Sequence, residues 1–159
     1  MSNDERDRRF WIRTWWPVTA MAALIAMSSS TAFGANDTTG PLRWLWQAVF
    51  GPVSNAEWGI VHLLIRKSGH FAGYGVLGLA WLRAWWLTFP RARFIASAAL
   101  ALLGTACIAS CDELHQAFLA NRTGSPWDVL LDCTGAIVLQ MLVYGIVRLS
   151  RPEWLARTA

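Results

Sequence analysis

A chain of 159 residues suffices for one compact domain but not for two ordinary ones. Apolar residues make up 55% and charged residues 15%, well below the roughly 25% charge usual in water-soluble domains. That composition argues against a soluble fold. The net charge of +4 comes from basic residues at the ends of apolar runs, not from a continuous stripe, so no nucleic-acid partner is expected.

The first apolar stretch covers residues 15–33 and follows Arg6, Arg8, Arg9 and Arg13. A charged start, an apolar middle and the small residues Ser30, Thr31 and Ala32 also fit a cleaved signal peptide. Its length, and its opening on Trp15 and Trp16, favour a retained span. Residues 34–70 are punctuated by Gly40-Pro41 and Gly51-Pro52. Within them, residues 42–50 are too short to span and are expected to lie in the membrane interface. Ser54 and Glu57 form a predicted capping box. The helix it opens runs through Lys67 and either turns or continues into the next span. The second stretch, 71–89, is interrupted by Arg83, the third, 94–111, has no charge, and the fourth, 129–147, carries Asp132. Each is close to the ~20 residues that cross a ~30 Å hydrocarbon core. The predicted fold is therefore all-α: a polytopic membrane bundle of four transmembrane helices, with a short interfacial helical segment between the first two. Residues 1–14 and 151–159 are expected to flank a membrane domain of residues 15–150.

Orientation follows from the basic residues. With both termini inside, ten basic residues lie on or next to the inner side and four lie outside (Arg43, Arg66, Lys67 and Arg122). Arg83 is expected to reach the inner loop by snorkelling. Eleven tryptophans suit an interface, where the ring meets apolar matter and its N–H meets water. The expected location is the bacterial cytoplasmic membrane. Cys107, Cys111 and Cys133 lack a C-x-x-C pairing and read as small apolar fillers, with a bridge from Cys133 to one of the others, or a metal site, as the alternatives.

The polar residues gather where the second span begins, the third ends and the fourth begins. Lys67, His70 and Tyr74 share one helical face. Gly69 and Gly73 form a small-xxx-small pair suited to close approach by another helix. Asp112, Glu113, His115 and Gln116 follow the third span, and Arg122 stands in the next loop. Asp128, Asp132 and Gly135 open the fourth span. Each has a plainer reading. Lys67 can be an interfacial anchor, His70 an ordinary interfacial histidine and Asp112 a solvated helix end. Asp128 can complete a second capping box with Ser125, with Pro126 at the first helical position. Asp132 resists such a reading, because a carboxylate at membrane depth costs roughly 2.5–3.5 kcal/mol and needs a partner or a wet cavity.

Four motifs carry a family resemblance: K-x-x-H-F-x-x-Y at 67–74, D-E-x-H-Q-x-F at 112–118, Arg122, and D-x-x-x-D-x-x-G at 128–135. In order, spacing and placement they resemble the VanZ-like family of small membrane proteins, best over residues 66–147. The family commonly has an acidic residue where this chain has Gly73, and often has Asn where it has Asp132, so the charge pattern here is altered. The founding member is associated with resistance to the glycopeptide teicoplanin. The resemblance implies fold and site position more than an activity.

Three functions remain open. In the first, the protein binds a membrane lipid or an envelope precursor at the outer face, with Lys67, His70 and Arg122 holding an anion. In the second, it is a structural subunit of a larger membrane complex, its polar cluster fixing helix register. In the third, His70 or Glu113 is a general base in an enzyme acting on a lipid-linked substrate, although no nucleophile motif is present. His70, His115, Glu113 and Asp132 are the available metal ligands. With no compact motif such as H-E-x-x-H, no metal or other cofactor is expected.

Overall fold

The computed structural model describes residues 3–30, 35–89, 94–119 and 124–150. Arg122, the loop at 90–93 and the tail at 151–159 lie outside the described residues. The described chain is helical, in the order α1 (Asn3–Ser28), α2 (Ala35–Phe50), α3 (Asn55–Thr88), α4 (Phe94–Ala117) and α5 (Pro126–Ser150).

α3 is the spine, in contact with all four other helices and most extensively with α5. It begins at the expected capping box: Ser54 Oγ accepts from the Glu57 N–H, and the Glu57 carboxylate accepts from the Ser54 N–H. It then runs unbroken for 34 residues, about 51 Å at 1.5 Å per residue. The segment before the second apolar stretch therefore continues into it without a turn. α2 lies beside this first half. Arg43 donates to Asn55 Oδ1 at 2.8 Å and to the Val53 carbonyl at 2.7 Å. The helix in this segment is longer than the sequence suggested, 16 residues in all.

The glycines that let helices approach are not the predicted pair. A Cβ on Gly69 or Gly73 would meet nothing within 4 Å. The close contact is made instead by Gly75, Gly78 and Gly135. A Cβ on Gly135 would lie 2.2 Å from the Phe71 carbonyl oxygen, and one on Gly78 would lie 2.6 Å from Ala136 Cβ. Missing side chains thus set the α3–α5 distance. The core beside this seam is Tyr74, Leu77, Ala80 and Ala84 of α3, with Val18 and Ile25 of α1 and Ala109 of α4.

One end of the bundle is aromatic. Trp15 packs edge-on against Trp81 and Trp85, and Phe94 bridges Trp86 and Tyr144. Arg83 reaches toward the arginine-rich N-terminal end of α1, while the loop it was expected to meet lies outside the described residues. Its Nη1 donates to the Arg13 carbonyl at 3.2 Å and the Thr14 carbonyl at 3.0 Å. Pro17 has no N–H, so the carbonyl four residues earlier, that of Arg13, loses its helical donor. Arg83 supplies one from α3.

α4 and α5 are long and apolar enough to cross a membrane, and only 22% of the most apolar window of each is buried. Their remaining surface exposes side chains such as Leu103, Met141, Leu142 and Ile146. Water disfavours such a surface and a lipid phase accepts it. Among the described residues α1 and α3 do not reach that apolarity. α1 is charged through its first half and ends at Ser28, short of the expected 33. α3 is diluted by glycine, tryptophan and Arg83. Cys107, Cys111 and Cys133 are free thiols.

Candidate functional site

The end opposite the aromatic cluster is polar, and it is where α1 and α4 finish, α5 starts and α3 passes through. Lys67 of α3 pairs with Asp128 of α5. One turn deeper, His70 Nδ1 lies 3.3 Å from Asp132 Oδ1, outside hydrogen-bonding geometry. A further turn along, Tyr74 donates to Asp112 Oδ2 of α4 at 3.0 Å. Gln116 donates to the same oxygen at 3.0 Å and reaches Ser29, just past α1, at 3.3 Å. Lys67, His70 and Tyr74 therefore share the face that their spacing requires, and each faces a carboxylate.

Glu113 corrects the expected second capping box. Its Oε2 accepts the Ser125 N–H at 2.7 Å, the bond that Asp128 would have made in a reciprocal box. Ser125 Oγ lies 3.3 Å from the Trp127 N–H. Asp128 is thereby released to Lys67. Asp112 is also no solvated helix end, since Asp112, Glu113 and Gln116 are all buried, as is Asp132 at 0% exposure. His115 faces outward and is exposed, so it stands apart from this layer.

Beside the layer is a cavity of about 370 Å³. Its lining mixes apolar Met21, Leu24, Ile25 and Leu42 with polar Arg66, His70, Tyr74 and Asp112. Gly69 and Gly73 line it as well, so their missing side chains leave open space. Arg66, treated in the sequence only as a topology marker, is the functional candidate that reasoning missed. It forms no ion pair among the described residues. Its spacing of four before His70 and eight before Tyr74 was the available signal.

Thr38 and Thr39 of α2 flank His62, with Thr38 Oγ1 3.1 Å from Nε2 and Thr39 Oγ1 3.3 Å from Nδ1. Burial pushes the His62 pKa down, and the Arg66 charge lowers it further. Both effects favour the neutral ring, which can donate through one nitrogen and accept through the other.

The VanZ/LLP1 family model matches residues 10–148, which contain α2, α3 and α4 whole, α1 after its first two turns and α5 nearly to its end. No curated protein and no solved structure matches the chain. The family match covers most of the sequence, includes the whole polar layer, and agrees with an all-helical structure carrying two membrane-competent helices: the chain belongs to the VanZ/LLP1 family.

Proposed function

We propose that the protein is a four-span accessory protein of the bacterial cytoplasmic membrane that binds an anionic amphiphile at the outer face. α1, residues 71–89 of α3, α4 and α5 are the spans. Residues 15–150 form the membrane domain, with the flanking segments 1–14 and 151–159 in the cytoplasm. The alternating helix directions and the ten-to-four basic bias support this orientation. The polar layer then meets the outer leaflet, where envelope precursors and lipid head groups reside. The observation that carries the reading is the cavity, whose lining combines apolar side chains suited to a hydrocarbon chain with the Arg66 cation, beside His70 and Asp112. Its size is within the ~300–1,000 Å³ of ordinary ligand sites. The founding relative's link to glycopeptide resistance makes envelope-antibiotic sensitivity the cellular readout.

The test uses native mass spectrometry of the full chain from nanodiscs containing phosphatidylglycerol or phosphatidylcholine. Retention of the anionic lipid is expected, reduced by Arg66→Ala and lost in Gly73→Leu, whose Cβ has open space and whose side chain would extend into the cavity that Gly73 lines. Equal retention of both lipids, unaffected by Gly73→Leu, overturns the reading.

The helix-to-helix bonds favour a second reading, in which the layer fixes register within a larger complex. Lys67–Asp128, Tyr74–Asp112 and Gln116–Ser29 together tie α3 to α5, α3 to α4, and α4 to the end of α1. Glu113→Gln separates the two readings, because it preserves shape and an acceptor for the Ser125 N–H. A folded protein without function supports ligand binding. Clear destabilisation with function per folded molecule unchanged supports the register role.

A further inference from the structure

His70, Glu113 and Asp132 come from three helices, α3, α4 and α5, and each offers one ligand atom within 4.8 Å of the others. The bonds described above use Lys67, Tyr74, Asp112, Gln116 and Asp128, and they leave this trio largely unspent. Asp132 is 0% exposed, and neither of its oxygens has a hydrogen-bond donor among the described residues. Glu113 is 5% exposed, and its Oε1 likewise has no donor. Two buried carboxylates with unpaired oxygens, facing an imidazole, call for a cation.

We infer that His70, Glu113 and Asp132 form a binding site for one divalent transition-metal ion of the zinc class. Lys67 and Arg66 are poor substitutes for that ion, since Lys67 is engaged by Asp128 and Arg66 faces the neighbouring cavity. A neutral imidazole and two carboxylates exactly offset a divalent charge in number, two against two. The mixed nitrogen–oxygen set suits zinc over magnesium or calcium, which take oxygen ligands. Three atoms within 4.8 Å of one another lie at most about 2.8 Å from a common centre, against roughly 2.0–2.2 Å for zinc bonds. Side-chain rotations of well under 1 Å close the shell. Three protein ligands leave a fourth position open. His70 also lines the cavity between α1, α2 and α3, as well as a second one beside Lys67 and Asp128, so the ion has a route in.

The supports expected around such a site are present. Glu113 Oε2 is held by the Ser125 N–H at 2.7 Å, which orients Oε1. The His70 ring stacks on Tyr74, with centroids 6.1 Å apart and planes at 16°, and Tyr74 is anchored on Asp112. The seam at Gly75, Gly78 and Gly135 fixes the distance between the helices that carry His70 and Asp132. The sequence shows no ligand motif because each ligand comes from a different helix. This inference is independent of the amphiphile reading, since the ion needs no lipid to bind.

The experiment takes the full chain in detergent, stripped with chelator, and titrates it with Zn²⁺ and separately with Co²⁺. One ion per chain is expected, with a saturable rise in thermal midpoint and visible Co²⁺ bands of low-symmetry coordination. His70→Ala and Asp132→Asn should each weaken binding about 100-fold or more, beyond the 10–100-fold typical of losing a supporting contact. His115→Ala, on the exposed face, should bind like the parent. Asp132→Asn preserves shape, and circular dichroism with size-exclusion profiles identifies any variant that fails to fold. Should one ligand variant misfold, Glu113→Gln and the Co²⁺ spectrum of the parent chain still decide. Absence of saturable binding by the folded parent overturns the site. So does Zn²⁺ binding that survives unchanged in folded His70→Ala and Asp132→Asn.

Discussion

Replacing Gly135 with alanine adds one methyl group to the tightest point of the bundle. That methyl would sit 2.2 Å from the Phe71 carbonyl oxygen and 3.0 Å from its carbon. Both atoms are backbone of α3, so no rotamer change relieves the clash, and α5 must move away by about 1 Å. Overpacking of this kind costs roughly 1–3 kcal/mol, and a backbone obstacle places it at the upper end. Alanine recovers about 1 kcal/mol through its higher helix propensity. The net expectation is about 2 kcal/mol of destabilisation, or a thermal midpoint lower by about 4–8 °C on the scale of domains of this size. Gly73→Ala is the matched control on the neighbouring helix. Its methyl would meet nothing within 4 Å, so only the propensity gain remains and the midpoint should hold or rise. The assay is thermal unfolding in one detergent, read by circular dichroism and by tryptophan fluorescence. Equal midpoints for the two variants, or a lower one for Gly73→Ala, would refute the assignment of the close seam to Gly135.

Arg83→Leu removes the donor that serves the Arg13 and Thr14 carbonyls. It should lower stability by about 1–2 kcal/mol, and Pro17→Ala, which restores the helical N–H to Arg13, should recover much of that loss in a double-mutant cycle; an additive pair would show the link to be absent. For topology, a cysteine at Thr38 should react with an impermeant maleimide added to intact cells and one at Ala92 should not, the reverse pattern inverting the proposed orientation. His62 has a folded pKa below its unfolded value of about 6.5, so the unfolded chain binds the proton more readily. The contribution of His62 to stability is then full above about pH 6.5 and falls as pH drops from there toward the folded value. A proton-NMR titration with its midpoint at or above 6.5 contradicts this sign.

Much of the helical framework was legible because periodicity and caps are local. The capping box at Ser54 and Glu57 and the uncharged run of the third span depend on neighbours within a turn or two. The shared face of Lys67, His70 and Tyr74 also follows from spacing alone. What was not legible depends on which helix lies opposite. Gly69 and Gly73 fit the small-xxx-small spacing and Gly75 and Gly78, three apart, do not, yet the position of α5 makes the second pair the seam and the first a cavity wall. The Ser125 box failed for the same reason: a carboxylate on α4 was better placed for the Ser125 N–H than Asp128. Arg83 was read only as a snorkelling cation because the carbonyl exposed by Pro17, that of Arg13, lies 70 positions earlier in the chain. Arg122 falls outside the described residues, so its expected part in the cluster stays a proposal.

The distribution of partners within the polar layer bears on why the layer exists. A layer built only to hold register would satisfy its most deeply buried groups first. A buried polar atom left unpaired costs about 1–3 kcal/mol, and an unpartnered carboxylate at membrane depth about 2.5–3.5 kcal/mol. The half-exposed Lys67 needs a partner least, yet it is engaged with Asp128. Asp132, with no exposure at all, has only an imidazole at 3.3 Å outside hydrogen-bonding geometry. Glu113 keeps one oxygen bonded and one unpaired. The outer pairs can therefore set helix register without the inner trio, and Asp132→Asn would remove a buried charge while leaving the outer bonds and the Glu113–Ser125 bond in place. A bundle that retains such groups in its interior gains little from them by packing alone, and the proposed ion would complete their unpaired valences.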